Sequence, residues 1–103
     1  MEEWINNDIV VGICVIELII PENHSLKGKR HVVRKIIERT KNKFNLSIAE
    51  VGDQELWQRC KIGLCTVGND KRIINSVLDK VIQHIDNMHL AEIIDSQIEL
   101  LHF

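Results

Sequence analysis

The sequence of 103 residues contains no tyrosine, two tryptophans and two phenylalanines, so aromatic side chains are scarce. Sheets that bind single-stranded RNA stack unpaired bases on exposed aromatic residues of their central strands. The two segments with the strongest pattern of a central strand, "IVVGICVIELII" and "WQRCKIGLCTV", hold one aromatic residue between them. A base-stacking sheet is therefore excluded, and any RNA contact would be made with the backbone of a structured RNA.

Long apolar runs and linkers are also missing. The longest apolar stretch, residues 9–20, is interrupted by Glu17 and is too short to cross a bilayer. One proline and five glycines form no linker, so we predict a single domain over residues 9–103 after a flexible N-terminal extension, residues 1–8. The extension begins "MEEWINND", which is acidic, unlike the basic start of a secretory signal. These features predict a cytoplasmic protein without membrane contact.

Patterns of metal and catalytic sites are absent as well. Cys14, Cys60 and Cys65 form no CxxC pair and lie in apolar segments, which predicts reduced thiols packed as small apolar side chains. Cys60 and Cys65 are five residues apart and would point to opposite faces of a strand. The five histidines form no HxxH or HxxxH pair, and "GKR" at residues 28–30 lacks the flanking residues of a P-loop. We expect no cofactor, no metal, no catalytic residue and no sequence-specific DNA-binding motif.

The sequence that is present divides into six periodic segments. Strand patterns cover residues 9–20, 46–52, 57–67 and 91–101, and helical patterns cover residues 26–44 and 70–88. Each helix carries one apolar stripe, so both helices must lie on the same sheet. The order βαββαβ, with right-handed crossovers, predicts a ferredoxin-like α+β fold: a four-stranded antiparallel sheet with two helices on one face. The first and third strands would be central.

Local signals place the ends of the helices and the buried side of the last strand. Ser25 is the expected N-cap of the first helix, and Asn69 or Asp70 that of the second. Alternation in the last strand predicts that its buried face carries Ile94, Ile98 and Leu100.

The sheet face turned away from the helices would be apolar. Ile13, Val15 and Ile19 share this face with Glu17, because side chains alternate along a strand. An apolar patch with a charged rim on an open sheet marks a contact with another chain, unless the N-terminal extension or a loop covers it. Trp57, at the predicted start of the third strand, is a further interface candidate; its alternative role is to anchor the rim of the core.

Positive charge is concentrated in "HSLKGKRHVVRKIIERTKNKF", residues 24–44. This segment has eight of the thirteen basic residues and one acid, a balance of +7 against −9 for the rest of the chain. On a helix, four of these cations fall on one flank: Lys27, Arg30, Arg34 and Lys41. The formal net charge of −2 therefore conceals a strongly polarised molecule.

The first turn of this helix combines cations with unpaired backbone N–H groups. Cations oppose the positive end of the helix dipole, so stability alone would favour acids there. We therefore predict an anion- or nucleic-acid-binding site, formed by Ser25, Lys27, Lys29, Arg30, Arg34 and Lys41. The alternative is a solvated surface whose cations pair loosely with the acidic remainder of the chain.

Three stretches carry a family resemblance. "HSLKGKR", "KFNLSIAEV" and "LWQRCKIG", in this order after an apolar first strand, resemble the YlxP-like family of small bacterial proteins of unknown function. The similarity runs from about residue 9 to the C-terminus. It implies a ferredoxin-like fold, no known activity and an acidic residue at the position of Gly28. Genes of this family lie among those for translation initiation and ribosome maturation, which implies ribosomal RNA as a partner.

Three functional hypotheses follow. The first is a non-enzymatic accessory protein that binds ribosomal or other structured RNA through its basic first helix. The second is a self-associating interaction module that forms a homo-oligomer through the open face of the sheet and has no nucleic-acid role. The third is a small enzyme that acts on an anionic metabolite near Ser25 to Arg30.

Overall fold

A computed structural model describes residues 8–103 of the chain. The six elements are β1 (Val10–Ile19), α1 (Leu26–Lys43), β2 (Ser47–Gly52), β3 (Arg59–Gly68), α2 (Lys71–Asp86) and β4 (Glu92–His102). All neighbouring strands are antiparallel, in the order β2-β3-β1-β4, so the predicted ferredoxin-like fold with β1 and β3 in the centre is confirmed. The predicted flexible extension lies outside the described residues, except for Asp8.

One face of the sheet forms the core together with both helices. Alternate side chains of β1 are buried and the intervening ones are half-exposed, as expected for a sheet covered on one side. α2 packs against β1, β3 and β4, whereas α1 packs against the edge strand β2 and against α2. The helices contribute a stripe of buried residues: Val33, Ile36 and Thr40 from α1, and Ile74, Leu78, Val81 and Ile85 from α2. Each fully buried aliphatic side chain contributes roughly 1.5–3 kcal/mol.

Gly12 allows α2 to approach the central strand closely. A Cβ atom at this position would overlap the Ile74 side chain and lie 2.9 Å from Leu78 Cδ1. Glycine in the middle of a strand is otherwise unfavourable, so its presence here follows from the packing of the helix.

Both helices begin at side-chain caps. The Ser25 hydroxyl accepts a hydrogen bond from the Gly28 N–H at 3.0 Å, as predicted. The Asp70 carboxylate accepts hydrogen bonds from the N–H groups of Arg72, at 2.9 Å, and Ile73, at 3.4 Å. Of the two residues considered for the second cap, Asp70 is therefore the one that caps α2. Neither of these helices is long and apolar enough to span a bilayer.

The prediction that Ile94 faces the core is wrong. Glu17 pairs with Asp95, but the next residue, Leu18, pairs with Ile93, so the register skips Ile94 at a bulge. Ile94 is consequently 42% exposed, and Ile93 packs against the core in its place. The other two residues predicted for this face, Ile98 and Leu100, do pack against the core.

Candidate nucleic-acid interface

The basic face of α1 borders an open groove. Arg30, Arg34 and Lys41 line a concavity of about 410 Å³ between α1 and the edge strand β2. The same concavity is lined by two acids, Glu38 on the helix and Glu50 on the strand. The structure thus brings together three of the predicted site residues. Lys27 is exposed in the first turn but lies outside the groove.

The exposed cations of α1 have no acidic partners within residues 8–103. The ion pairs in this part of the chain are Lys29–Glu50 at 3.1 Å, Lys61–Glu17 at 3.5 Å and His102–Asp8 at 3.8 Å. Seven basic residues of the segment 24–44 are at least partly exposed, and none of them takes part in these pairs: Lys27, Arg30, Arg34, Lys35, Arg39, Lys41 and Lys43. The first turn of α1 also lacks an acid. Paired charges therefore do not account for this surface in the described part of the chain.

Lys29 does not belong to the interface, and its predicted role as an anion ligand is wrong. Its side chain is 1% exposed, because Lys29 continues the buried stripe of α1 one turn before Val33. Its ammonium group donates hydrogen bonds to the carbonyl oxygens of Leu56, at 2.8 Å, and Asp53, and lies 3.1 Å from Glu50 Oε2. Two of its three N–H donors are used by these carbonyl oxygens, and the buried ammonium group lies beside a carboxylate, so a phosphate in solvent cannot reach it.

The buried ammonium group of Lys29 holds the loop between β2 and β3 against the start of α1. Within this loop Asp53 has a positive φ of 60°, which a short polar side chain tolerates. Asn23 Nδ2 donates a hydrogen bond to the Trp57 carbonyl at 2.6 Å, and Gln58 Nε2 donates one to the Asn23 carbonyl at 3.0 Å. These bonds join the loop to the segment that precedes the helix.

Trp57 lies in this loop and not in the third strand, which begins at Arg59. The expectation that it anchors the rim of the core is wrong, because its side chain is 54% exposed. Its neighbour Leu56 is 47% exposed. A contact of Trp57 with another molecule stays a prediction.

Gly28 makes room for Asn23. A Cβ atom at Gly28 would overlap Asn23 Oδ1 and lie 3.2 Å from Ser25 Oγ. The acidic residue that the resemblance implies at this position would therefore displace the Asn23 side chain from its bond to the Trp57 carbonyl. Glycine here leaves the first turn of α1 without negative charge.

Cys60 and Cys65 lie on opposite faces of β3, as predicted, and Cys14 and Cys60 are packed in the core. The prediction that Cys65 is packed as an apolar side chain is wrong, because the open face of the sheet leaves it exposed. Burial raises the pKa of Cys14 to about 11. Burial, followed by the negative charge of Glu50, raises the pKa of Cys60 to about 12. Both buried thiols are protonated at neutral pH and are poor nucleophiles. Among residues 8–103, no group of three His, Cys, Asp or Glu side chains could hold a metal ion.

Sequence reasoning missed the two acids that line the groove. A signal for Glu50 was present, because alternation in "SIAEVG" places it on the same face of β2 as the buried Ile48. Nothing in the sequence pattern pairs it with Lys29, since the two residues lie 21 positions apart on different elements.

Comparisons with known proteins agree with the resemblance drawn from the sequence. Residues 11–98 match the family described as "Protein of unknown function (DUF503)". The chain is 38% identical over 78 residues to the "Uncharacterized protein YlxP" of Bacillus subtilis (strain 168), covering 76% of this chain and 85% of that protein.

Solved structures resemble the fold at low sequence identity. A C-terminal segment of the alpha subunit of aIF2 from Pyrococcus abyssi matches with a TM-score of 0.49 and 12% identity, over 99% of this chain and 55% of that one. A dimeric ferredoxin-like protein from an uncultured marine organism matches with a TM-score of 0.47 and 7% identity, over 100% of this chain and 94% of that one. On the strength of the family match and the B. subtilis relative, the chain belongs to the DUF503 family of proteins of unknown function.

Proposed function

We propose that this protein is a non-enzymatic accessory protein that binds the backbone of ribosomal or other structured RNA through the exposed cations of α1. The observation that carries the proposal is the set of seven basic residues, six exposed and Lys35 partly exposed, without an ion-pair partner among residues 8–103. Such cations can neutralise phosphates directly, and the release of counterions from the nucleic acid then supplies binding free energy.

The cations follow the length of the helix. Lys27 and Lys41 are fourteen positions apart, which corresponds to about 21 Å along the helix axis. Arg30 and Arg34 lie between them, on the same side of the groove as Lys41. Arginine can bind a phosphate group through two parallel hydrogen bonds, so this row can hold several phosphates in a fixed order.

The acids in the groove indicate where the phosphates would lie. Glu38 and Glu50 line the concavity together with the cations, and a phosphate lodged among them would meet two negative charges. The backbone of the RNA is therefore expected to run along the exposed rim of α1, on the side facing solvent.

The open sheet favours a structured RNA over a single strand. β1 and β3 carry no aromatic residue, so the face that stacks bases in some α+β RNA-binding domains cannot do so here. Contact with phosphates alone recognises the shape of a folded RNA and depends little on its sequence.

Fluorescence anisotropy with a labelled RNA hairpin tests the proposal. The affinity of the wild-type protein should fall about a hundredfold between about 50 and 200 mM salt if four phosphates are contacted. The triple variant Lys27→Glu/Arg30→Glu/Arg34→Glu should lose binding, because the row of cations is reversed.

A matched control variant distinguishes loss of the α1 surface from a change in net charge alone. The variant Lys71→Glu/Arg72→Glu/Lys80→Glu makes the same change in net charge on α2, where the three residues are also exposed. It should bind RNA within a few-fold of the wild-type affinity. Binding that is insensitive to salt, or equal loss in both triple variants, would contradict the proposal.

A further inference from the structure

The face of the sheet opposite the helices is apolar along its centre, except at Glu17. The odd-numbered residues of β1 project from it and are half-exposed, and no element among residues 9–103 packs over them. Neighbouring β3 adds two exposed side chains to the same face, Cys65 and Val67, which pair with Ile13 and Val11. Val67 is 66% exposed. Apolar surface of this kind is favourable to bury against another chain.

The flanks of this apolar strip carry opposite charges. On β3, the partner of Ile19 is Arg59 and the partner of Glu17 is Lys61. On the other side of β1, the same two residues pair with acids of β4, Glu92 and Asp95. Residues paired between neighbouring strands point to the same face of the sheet. The two bases of β3 and the two acids of β4 therefore lie in the same two rows across the strands, one row through Glu17 and the other through Ile19.

This charge distribution is complementary to itself under one particular rotation. A turn of 180° about an axis along β1 brings the open face of a second copy against the first and exchanges its flanks. β4 of the second copy then faces β3 of the first, with each residue kept in its own row. Asp95 of one copy faces Lys61 of the other, and Glu92 faces Arg59. Glu17 of the two copies meet near the axis, where each is already paired with Lys61 of its own chain at 3.5 Å, so Lys61 lies between Glu17 and the Asp95 of the other copy.

The alternative rotation, about an axis across the strands, places β4 against β4. The acids of this strand would then face the same acidic strand of the other copy, which has no lysine or arginine. Like charges at an interface weaken it, so the two arrangements are not equivalent.

We propose that two copies of this chain form a symmetric dimer through the open faces of their sheets, related by a two-fold axis along β1. The apolar side chains of β1 meet near the axis, and the Lys61–Asp95 and Arg59–Glu92 pairs form on both sides of it. Aligned sheets of this kind pack about 10 Å apart with their strands crossing at about 30°. The dimer leaves both α1 helices on the outside and is compatible with the RNA-binding surface.

The available area matches a modest interface. A ten-residue strand is about 33 Å long, and three strand spacings add about 14 Å of width. The flat footprint is therefore roughly 450 Å² per copy, or about 900 Å² in total, which is just below the ~1,000 Å² lower limit for a specific interface and matches a weak dimer. The dimer should accordingly form at tens of micromolar and dissociate on dilution.

Sedimentation velocity on the full chain tests the dimer. At tens of micromolar the protein should have twice the mass of a single chain, and Val15→Glu, at the centre of the apolar strip, should have the mass of one chain. Circular dichroism should show that this variant is folded, because Val15 points away from the core. A wild-type protein that stays monomeric at this concentration would overturn the proposal.

A charge exchange tests the position of the axis. Arg59→Glu and Glu92→Arg should each weaken self-association at least tenfold, because each places like charges opposite one another on both sides. An equimolar mixture of the two variants should form a heterodimer of nearly wild-type affinity, since the glutamate introduced in one chain then faces the arginine introduced in the other.

Matched variants on α2, Arg72→Glu and Asp86→Arg, change the same charges away from the sheet and should leave self-association unchanged. Failure of the mixture to recover the affinity would overturn the arrangement about β1. Equal weakening by the α2 variants would show that net charge, and not this interface, governs self-association.

Discussion

Lys29 lies among cations that face solvent, yet its ammonium group is inside the protein. Three acceptors surround it, two backbone carbonyl oxygens and the Glu50 carboxylate. A buried charge is tolerated only when its hydrogen-bonding capacity is filled, so the loop between β2 and β3 must keep its conformation for the helix to dock.

Replacement of Lys29 tests this structural role. Lys29→Met keeps the length and apolar stem of the side chain but leaves the loop carbonyls without a donor. The free energy of unfolding, measured by urea denaturation, should fall by about 3 kcal/mol, as for other broken buried pairs. Lys27→Met, at an exposed position two residues earlier, should change it by less than about 0.5 kcal/mol.

The effects of the two variants on RNA binding should be the reverse of their effects on stability. Under conditions where both variants are folded, Lys27→Met should weaken binding and Lys29→Met should not. If Lys29→Met left stability unchanged and weakened RNA binding, Lys29 would be a ligand after all.

Single residues are where the sequence was least informative. The helical spacing that places Val33 and Ile36 in the core also places Lys29 there, but the long polar side chain suggested a surface position. Its acceptors come from a loop 24 and 27 positions further along the chain, and no local pattern reveals such a partner. Predicting Arg30, Arg34 and Lys41 as neighbours succeeded because helix geometry alone brings them together.

Helices and strands were predicted well where periodicity was regular. The four strands and two helices lie within a few residues of their expected positions, since an apolar period of two or 3.6 fixes which face is buried. The bulge at Ile94 broke this reasoning, because one extra residue reverses the alternation beyond it. The segment "EIIDS" has isoleucines at two successive positions, so the pattern could not tell which one faces inward.

The N-cap of α2 can be tested by its contribution to stability. Asp70→Ala removes the carboxylate that accepts hydrogen bonds from Arg72 and Ile73, and should lower the free energy of unfolding by about 1 kcal/mol. Asn69→Ala should have little effect, because Asn69 lies outside the helix and does not cap it. Thermal or urea unfolding of the two variants compares them directly. Equal losses in stability would contradict the assignment of the cap.

At the scale of the whole molecule, positive and negative charges lie at opposite edges of the sheet. α1, with its exposed cations, packs on β2 at one edge of the sheet, and the opposite edge strand, β4, carries Glu92, Asp95 and Glu99. The sequence revealed the imbalance between segments, but only the strand order shows that the two charged regions lie at opposite edges. A surface divided in this way can bind a polyanion despite a negative net charge.

Ion-exchange chromatography checks this polarity. At pH 7.5 and low salt the protein should be retained on a cation exchanger, although its formal net charge at pH 7 is −2. Lys27→Glu/Arg30→Glu/Arg34→Glu should pass through the column, whereas Lys71→Glu/Arg72→Glu/Lys80→Glu should still be retained. Identical elution of the two variants would mean that net charge, and not its position, determines retention.

The close contact at Gly12 has a consequence for how the sequence can vary among relatives. Any larger residue at this position meets Ile74 and Leu78, which lie on a helix some sixty positions later in the chain. A relative with alanine there must therefore have a smaller residue at the position of Ile74 or Leu78, or a helix displaced from the sheet. We therefore expect the residues at these three positions to covary among relatives, because they share the space between the strand and the helix.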